Sequence, residues 1–103
     1  MTLIFKILPR ADWERALSVG RFEGSAVDIA DGFIHFSAAD QVAETARRHF
    51  AGQADLVVLT VEADTLGAAL RWEPSRGGAL FPHLYAPLDV TGVVSVEAMV
   101  PQP

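Results

Sequence analysis

Apolar and polar positions alternate along TLIFKIL, residues 2–8, with Leu3, Phe5 and Ile7 on one face and Ile4, Lys6 and Leu8 on the other. Side chains of a strand change sides at every residue, so this mixed pattern predicts a strand largely covered on both faces. Pro9 ends it. RADWERALSVG then repeats Trp13, Ala16 and Leu17 at helical spacing, with Gly20 placed to cap the C-terminus. Residues 21–32 have loop composition, with turn signals at Gly24 and Asp31-Gly32 and room for a single helical turn between them.

GFIHFS, residues 32–37, predicts a short strand with Ile34 and Phe36 on one face and Phe33, His35 and Ser37 on the other. Ser37, followed by Asp40, reads as an acidic capping box for a second helix, whose apolar face is Ala39, Val42, Ala43, Ala46 and Phe50. DLVVLTVEA, residues 55–63, is rich in β-branched residues and reads as a central strand. ALRWEP puts Leu70 and Trp72 on one side and Arg71 and Glu73 on the other before Pro74 to Gly78 force a loop. ALFPHLYAP alternates again, with Phe81, His83 and Tyr85 facing one way, and Pro82 places it on an edge or beside a bulge. GVVSVEAMV, residues 92–100, is the closing strand, and residues 101–103 are a tail. Strand, helix, strand, helix and then strands predict an α+β domain around a mostly antiparallel sheet with two main helices.

Bulk properties narrow the function classes. The 103 residues suit one domain with one core, spanning residues 1–100. With half the residues hydrophobic and 20% charged, the chain is a compact globule rather than a disordered one. The absence of cysteine excludes disulfides, thiolate nucleophiles and Cys-based metal sites. No apolar run approaches the roughly 20 residues that span a bilayer, and MTLIFKILPR has neither a basic leader nor an export cleavage pattern, so a cytoplasmic protein is expected. The net charge of −5 has the wrong sign for a sequence-independent grip on nucleic acid, although Arg71 and Arg76 offer a local cluster for a small anion. The sequence does not identify a protein partner.

RWEPSRGGALFPHLY, residues 71–85, concentrates the candidate chemistry. A carboxylate such as Glu73 beside the indole of Trp72 can stabilise a sugar oxocarbenium ion. PSRGG can form a concave turn whose amides and Arg76 guanidinium bind phosphate or carboxylate. His83 and Tyr85, two apart on one strand face, can hydrogen-bond a ribose or stack on a base. Each has a structural alternative: Trp72 as core, Glu73 paired with Arg71 or Arg76, and His83 and Tyr85 as aromatic packing with polar tips outward. His35, His49 and His83 lack ligand spacing, so no metal site is expected; His35, His83 and Glu73 would be the set to converge if one existed.

DGFIHFSAADQVAETARRHF followed by LRWEPSRGGALFPHLYAPL resembles the bacterial domain-of-unknown-function family 952 over almost the whole chain. The resemblance implies a compact ADP-ribosylation-like fold, similar to the ADP-ribosyltransferase and RNA 2′-phosphotransferase group: a split antiparallel sheet with a cleft for NAD or an ADP-ribose-like ligand. On that resemblance His35 holds the ribose, Tyr85 or Trp72 flanks the nicotinamide, and Glu73 stabilises the reacting ribose. Glu73 precedes Tyr85, unlike the usual late glutamate, and Glu97 is the one acid on the final strand. The expected site is therefore His35 and Glu73 as catalytic groups, with Ser37, Trp72, Arg76, His83 and Tyr85 binding a nucleotide-like ligand. No tightly bound cofactor is expected, NAD serving as substrate. The alternative is a non-catalytic binding or interaction module that holds the same residues in a structural polar network.

Overall fold

The structure, a computed structural model, describes residues 1–100, with the backbone but not the side chain of Arg76; the tail at 101–103 lies outside the described residues. β1 (Leu3–Pro9) leads into α1 (Arg10–Val19), and Gly20 closes that helix in the left-handed region at φ 99°, its N–H donating to the Ala16 carbonyl. Glycine takes this conformation without the Cβ clash that penalises other residues. β2 (Arg21–Phe22) is followed by α2 (Ala26–Asp31), then β3 (Ile34–His35), β4 (Ser37–Ala38) and α3 (Val42–His49). β5 (Leu56–Glu62), β6 (Leu70–Pro74), β7 (Leu80–Leu84), β8 (Leu88–Asp89) and β9 (Val93–Ala98) complete the order.

All strand pairs are antiparallel, giving an α+β architecture with few helices. Four strands form one sheet in the order β4-β1-β5-β9, three form a second in the order β3-β7-β6, and β2 pairs with β8. The four-stranded sheet is covered on both sides. Ile4, Leu8, Val57, Leu59 and Val61 face the main core with Trp13, Phe22, Ile34, Phe36, Leu84 and Leu88, whereas Ile7 and Leu56 pack under α3 against Ala46. This is the two-faced burial expected of β1. Each such aliphatic side chain removed from water contributes about 1.5–3 kcal/mol, which is what holds the sheets together.

Residues 34–38 serve both sheets in turn, because β3 pairs with β7 and β4 pairs with β1. The expected strand over 32–37 is thus two short ones, and Pro82 accounts for the break. Continuing the register of His35 opposite His83 would set Phe36 opposite Pro82. The Phe36 N–H does donate to the Pro82 carbonyl at 3.0 Å. Proline has no N–H to return the second bond, so pairing stops there. β7 itself is the central strand of its sheet, which excludes the edge, one of the two placements expected from Pro82. A second correction concerns Ser37. It lies in β4 and bonds the Thr45 hydroxyl at 3.0 Å, while the Gln41 side chain accepts from the Ala38 N–H at 2.9 Å. Gln41, not Ser37, is the N-cap residue of α3, which starts at Val42, and its side chain makes no capping hydrogen bond to the helix.

Candidate functional site

Strand parity places the chemistry of the second sheet on one face. In antiparallel register His35 stands opposite His83, and His83 opposite Arg71, so these three form a row across β3, β7 and β6. Tyr85, two residues along from His83, shares their face, as does Glu73, two along from Arg71. The other face carries Leu84 opposite Leu70 and Pro82 opposite Trp72.

Glu73 is the centre of this face. Its Oε1 accepts from the Tyr85 hydroxyl at 2.7 Å and from His83 Nδ1 at 2.8 Å. A carboxylate offers only acceptors, so Nδ1 carries the imidazole hydrogen in this pair. Hydrogen bonds from Tyr85 and then His83 hold the Glu73 carboxyl below its ordinary range, and the same carboxylate raises the Tyr85 phenol above its own. Phe33 lies across the group, its ring 4.0 Å from that of His83 and stacked on it, 4.5 Å from His35 and 5.3 Å from Tyr85. His83 is only 5% exposed beneath it, whereas Tyr85 is 41% exposed. The Arg71 guanidinium stands over the Tyr85 ring at 4.8 Å.

His35 joins this face to a buried ionic node. Its Nδ1 lies 2.6 Å from Asp28 Oδ1 and its Nε2 2.9 Å from Asp31 Oδ2. Asp28 also accepts from the His35 N–H, from the Ser25 N–H and hydroxyl, and from Lys6 Nζ. The Ser25 N–H bond belongs to the capping box that starts α2. Burial alone would raise the Asp28 carboxyl, but His35, Lys6 and the Ser25 amide outweigh it and hold the group well below the carboxylate range. Burial pushes the Lys6 ammonium down, with Asp28 opposing. Both groups are almost wholly enclosed, and charges in such a place persist only when paired. A hollow of about 250 Å³ lies on the α2 side of Phe33, lined by Asp28, Gly32, Phe33, Ile34, Leu84 and Ala86 among others.

Of the residues expected to form a site, His35, Glu73, His83 and Tyr85 come together. Ser37 and Trp72 do not join them: Ser37 is buried against α3, and Trp72 is on the opposite face of β6 from Glu73. The Arg76 side chain lies outside the described residues. Among those residues no group of three or more His, Asp or Glu side chains could hold a metal ion. Sequence reasoning missed Asp28, Asp31 and Lys6. The S-x-x-D of Ser25 and Asp28 carried a capping signal for the first, and Lys6, the single lysine, stands inside an apolar strand.

Residues 7–96 match the family described as Protein of unknown function (DUF952). The chain belongs to this family. The family member is similar to Protein CC0527 from Caulobacter crescentus. The X-ray structure of that protein is 61% identical, covers 96% of this chain and 87% of its own, and superposes with a TM-score of 0.94. Its solution NMR structure is 62% identical over 96% of this chain and 85% of its own, with a TM-score of 0.86. No curated protein matches. No helix among the described residues is long and apolar enough to cross a membrane.

Proposed function

We propose that the face built on Glu73, Tyr85, His83 and His35 binds NAD or a related phosphorylated nucleoside. The observation that carries this reading is the double hydrogen bond of His83 and Tyr85 to one oxygen of Glu73, beneath the Phe33 ring. It holds an acid, a phenol and flat apolar surface together, which are the groups that recognise a ribose and its ring. The half-exposed Tyr85 and Phe33 meet the ring, and the carboxylate takes the ribose hydroxyls. The hollow of about 250 Å³ is lined by none of His35, Glu73, His83 and Tyr85 and shares only Phe33 with this group, so in this reading the ligand lies along the open face.

Two sheets joined at residues 34–38 suit the split antiparallel arrangement of the ADP-ribosyltransferase and RNA 2′-phosphotransferase group, and the fold is read here as a compact variant of it. The chemistry that follows is cleavage at ribose C1. The nicotinamide leaves with the bonding electron pair, water or another acceptor adds to C1, and Glu73 stabilises the cation between those events. His35 is a weaker participant than a ribose-binding histidine should be, because both ring nitrogens already face carboxylates. It reaches a hydroxyl only if Asp31 gives way. NAD is a substrate in this scheme, with no resident cofactor, and the setting is the cytoplasm.

That same pairing favours a second reading, a binding module in which His35 and Asp28 hold α2 to the second sheet and no bond is broken. NMR titration with NAD, ADP-ribose and 2′-phosphorylated nucleotides tests the first. Binding moves the amides around His35, Glu73 and Tyr85, and Glu73→Gln abolishes any release of nicotinamide and weakens the binding that its carboxylate supports. Amides unmoved at saturating ligand remove the basis of the nucleotide reading.

A further inference from the structure

The cations of this acidic protein are almost all spoken for. Lys6, Arg10, Arg15, Arg21, Arg47 and Arg48 each lie within 3.5 Å of an Asp or Glu oxygen. Among the described residues Arg71 has no such partner, although the net charge of −5 supplies carboxylates in excess. Its guanidinium carbon instead lies over the Tyr85 ring, 4.8 Å from the centroid, exposed, on the face that carries His35 and Glu73, whose charge it feels without an ion pair. Tyr85 is itself fixed, because its hydroxyl is tied to Glu73.

The geometry points to Arg71 as the residue that binds the phosphate of the ligand on this face. A guanidinium held over a ring face by cation–π attraction spends none of its N–H donors on the ring. Held that way it presents a fork that matches two oxygens of a phosphate, with less side-chain freedom to lose than a free arginine. Glu73 sets the direction. Its charge repels an anion, so the phosphate is confined to the guanidinium edge farther from the carboxylate, leaving Glu73 to the neutral or cationic part of the ligand. The ligand class is thus bipolar: a sugar or charged ring at Glu73 and a phosphate at Arg71. This rests on the nucleotide reading above and adds to it what distinguishes a nucleotide from a nucleoside.

The test compares ADP-ribose, adenosine and inorganic pyrophosphate by NMR titration of the wild type, Arg71→Gln, Arg71→Lys and, as a control, Arg10→Gln. Arg71→Gln weakens ADP-ribose by about ten- to hundredfold, the loss expected for charge-assisted hydrogen bonds to an anion. It leaves adenosine unchanged and flattens the salt dependence, Arg71→Lys recovers part of the loss, and Arg10→Gln changes nothing. An Arg71→Gln protein that binds ADP-ribose as the wild type does overturns the inference while the nucleotide reading stands. If ADP-ribose and adenosine both fail but pyrophosphate shifts the Arg71 Nε–H resonance, the nucleotide reading falls and the anion subsite remains. Silence from pyrophosphate and ADP-ribose alike overturns both.

Discussion

Asp28 and Lys6 form one buried pair, yet removing the two partners should have unequal consequences. Both Asp28 oxygens face donors: Oδ1 receives Lys6 Nζ and the backbone and ring nitrogens of His35, while Oδ2 receives the Ser25 N–H and hydroxyl and lies 2.8 Å from Lys6. In Asp28→Asn an amide nitrogen must occupy one of these positions and confront donors, and the Lys6 ammonium, 4% exposed, loses its counter-charge. Breaking a buried pair from this side costs about 3–5 kcal/mol. At roughly 4 °C per kcal/mol for a domain near this size, Tm falls by about 12–20 °C. Lys6→Met leaves Asp28 with the Ser25 and His35 donors and places an apolar chain beside Phe22, so its cost is about 1–2 kcal/mol. Urea denaturation followed by the fluorescence of buried Trp13 measures both. The pH dependence gives an independent arm. The folded Asp28 carboxyl sits below its unfolded value, about 3.9, so its contribution is present above that pH and is lost as pH falls toward the folded value. The wild-type and Asp28→Asn curves therefore converge in acid. A Lys6→Met loss equal to or larger than that of Asp28→Asn, or a gap between the curves that does not narrow as pH falls below the unfolded carboxyl value, refutes this account.

Other expectations concern single positions. Gly24→Ala forces a Cβ to 2.8 Å from that of Asp28 at φ 118°, and should lower stability by about 1–3 kcal/mol in the same denaturation assay. Ultraviolet titration should find Tyr85 ionising above the ordinary phenol range and moving down toward it in Glu73→Gln, because the carboxylate that retains its proton is gone. Pro82→Ala supplies the missing donor opposite Phe36, and hydrogen exchange should show residue 82 protected, with stability changed by no more than about 1 kcal/mol.

How far the sequence disclosed this arrangement depends on how long each signal runs. β1, α1, β5 and β9 carry enough residues for a period to show, and Pro9 and Gly20 punctuate them. β2 and β8, two residues each, have no period and went unforeseen. Local chemistry suits Ser37 to the start of α3, but pairing of Ser37 with Phe5 draws it into β4, and the Gln41 side chain ties the intervening turn to the Ala38 amide and the Leu80 carbonyl of β7. For the site, strand alternation placed His83 with Tyr85 and separated Glu73 from Trp72, as found. It did not place the imidazole of His35 between two aspartates. Those aspartates are only seven and four positions from His35, but they belong to α2, which has no long period to show which side it turns to β3; the Lys6–Asp28 pair, 22 positions apart, has no local signature at all.

Because residues 34–38 are hydrogen-bonded first into one ladder and then into the other, neither sheet can fray there without loosening its neighbour. Amide protection around His35 and around Ser37 should therefore rise and fall as one cooperative unit, and a molecule that clamps the three-stranded side would slow exchange in β1 without touching it.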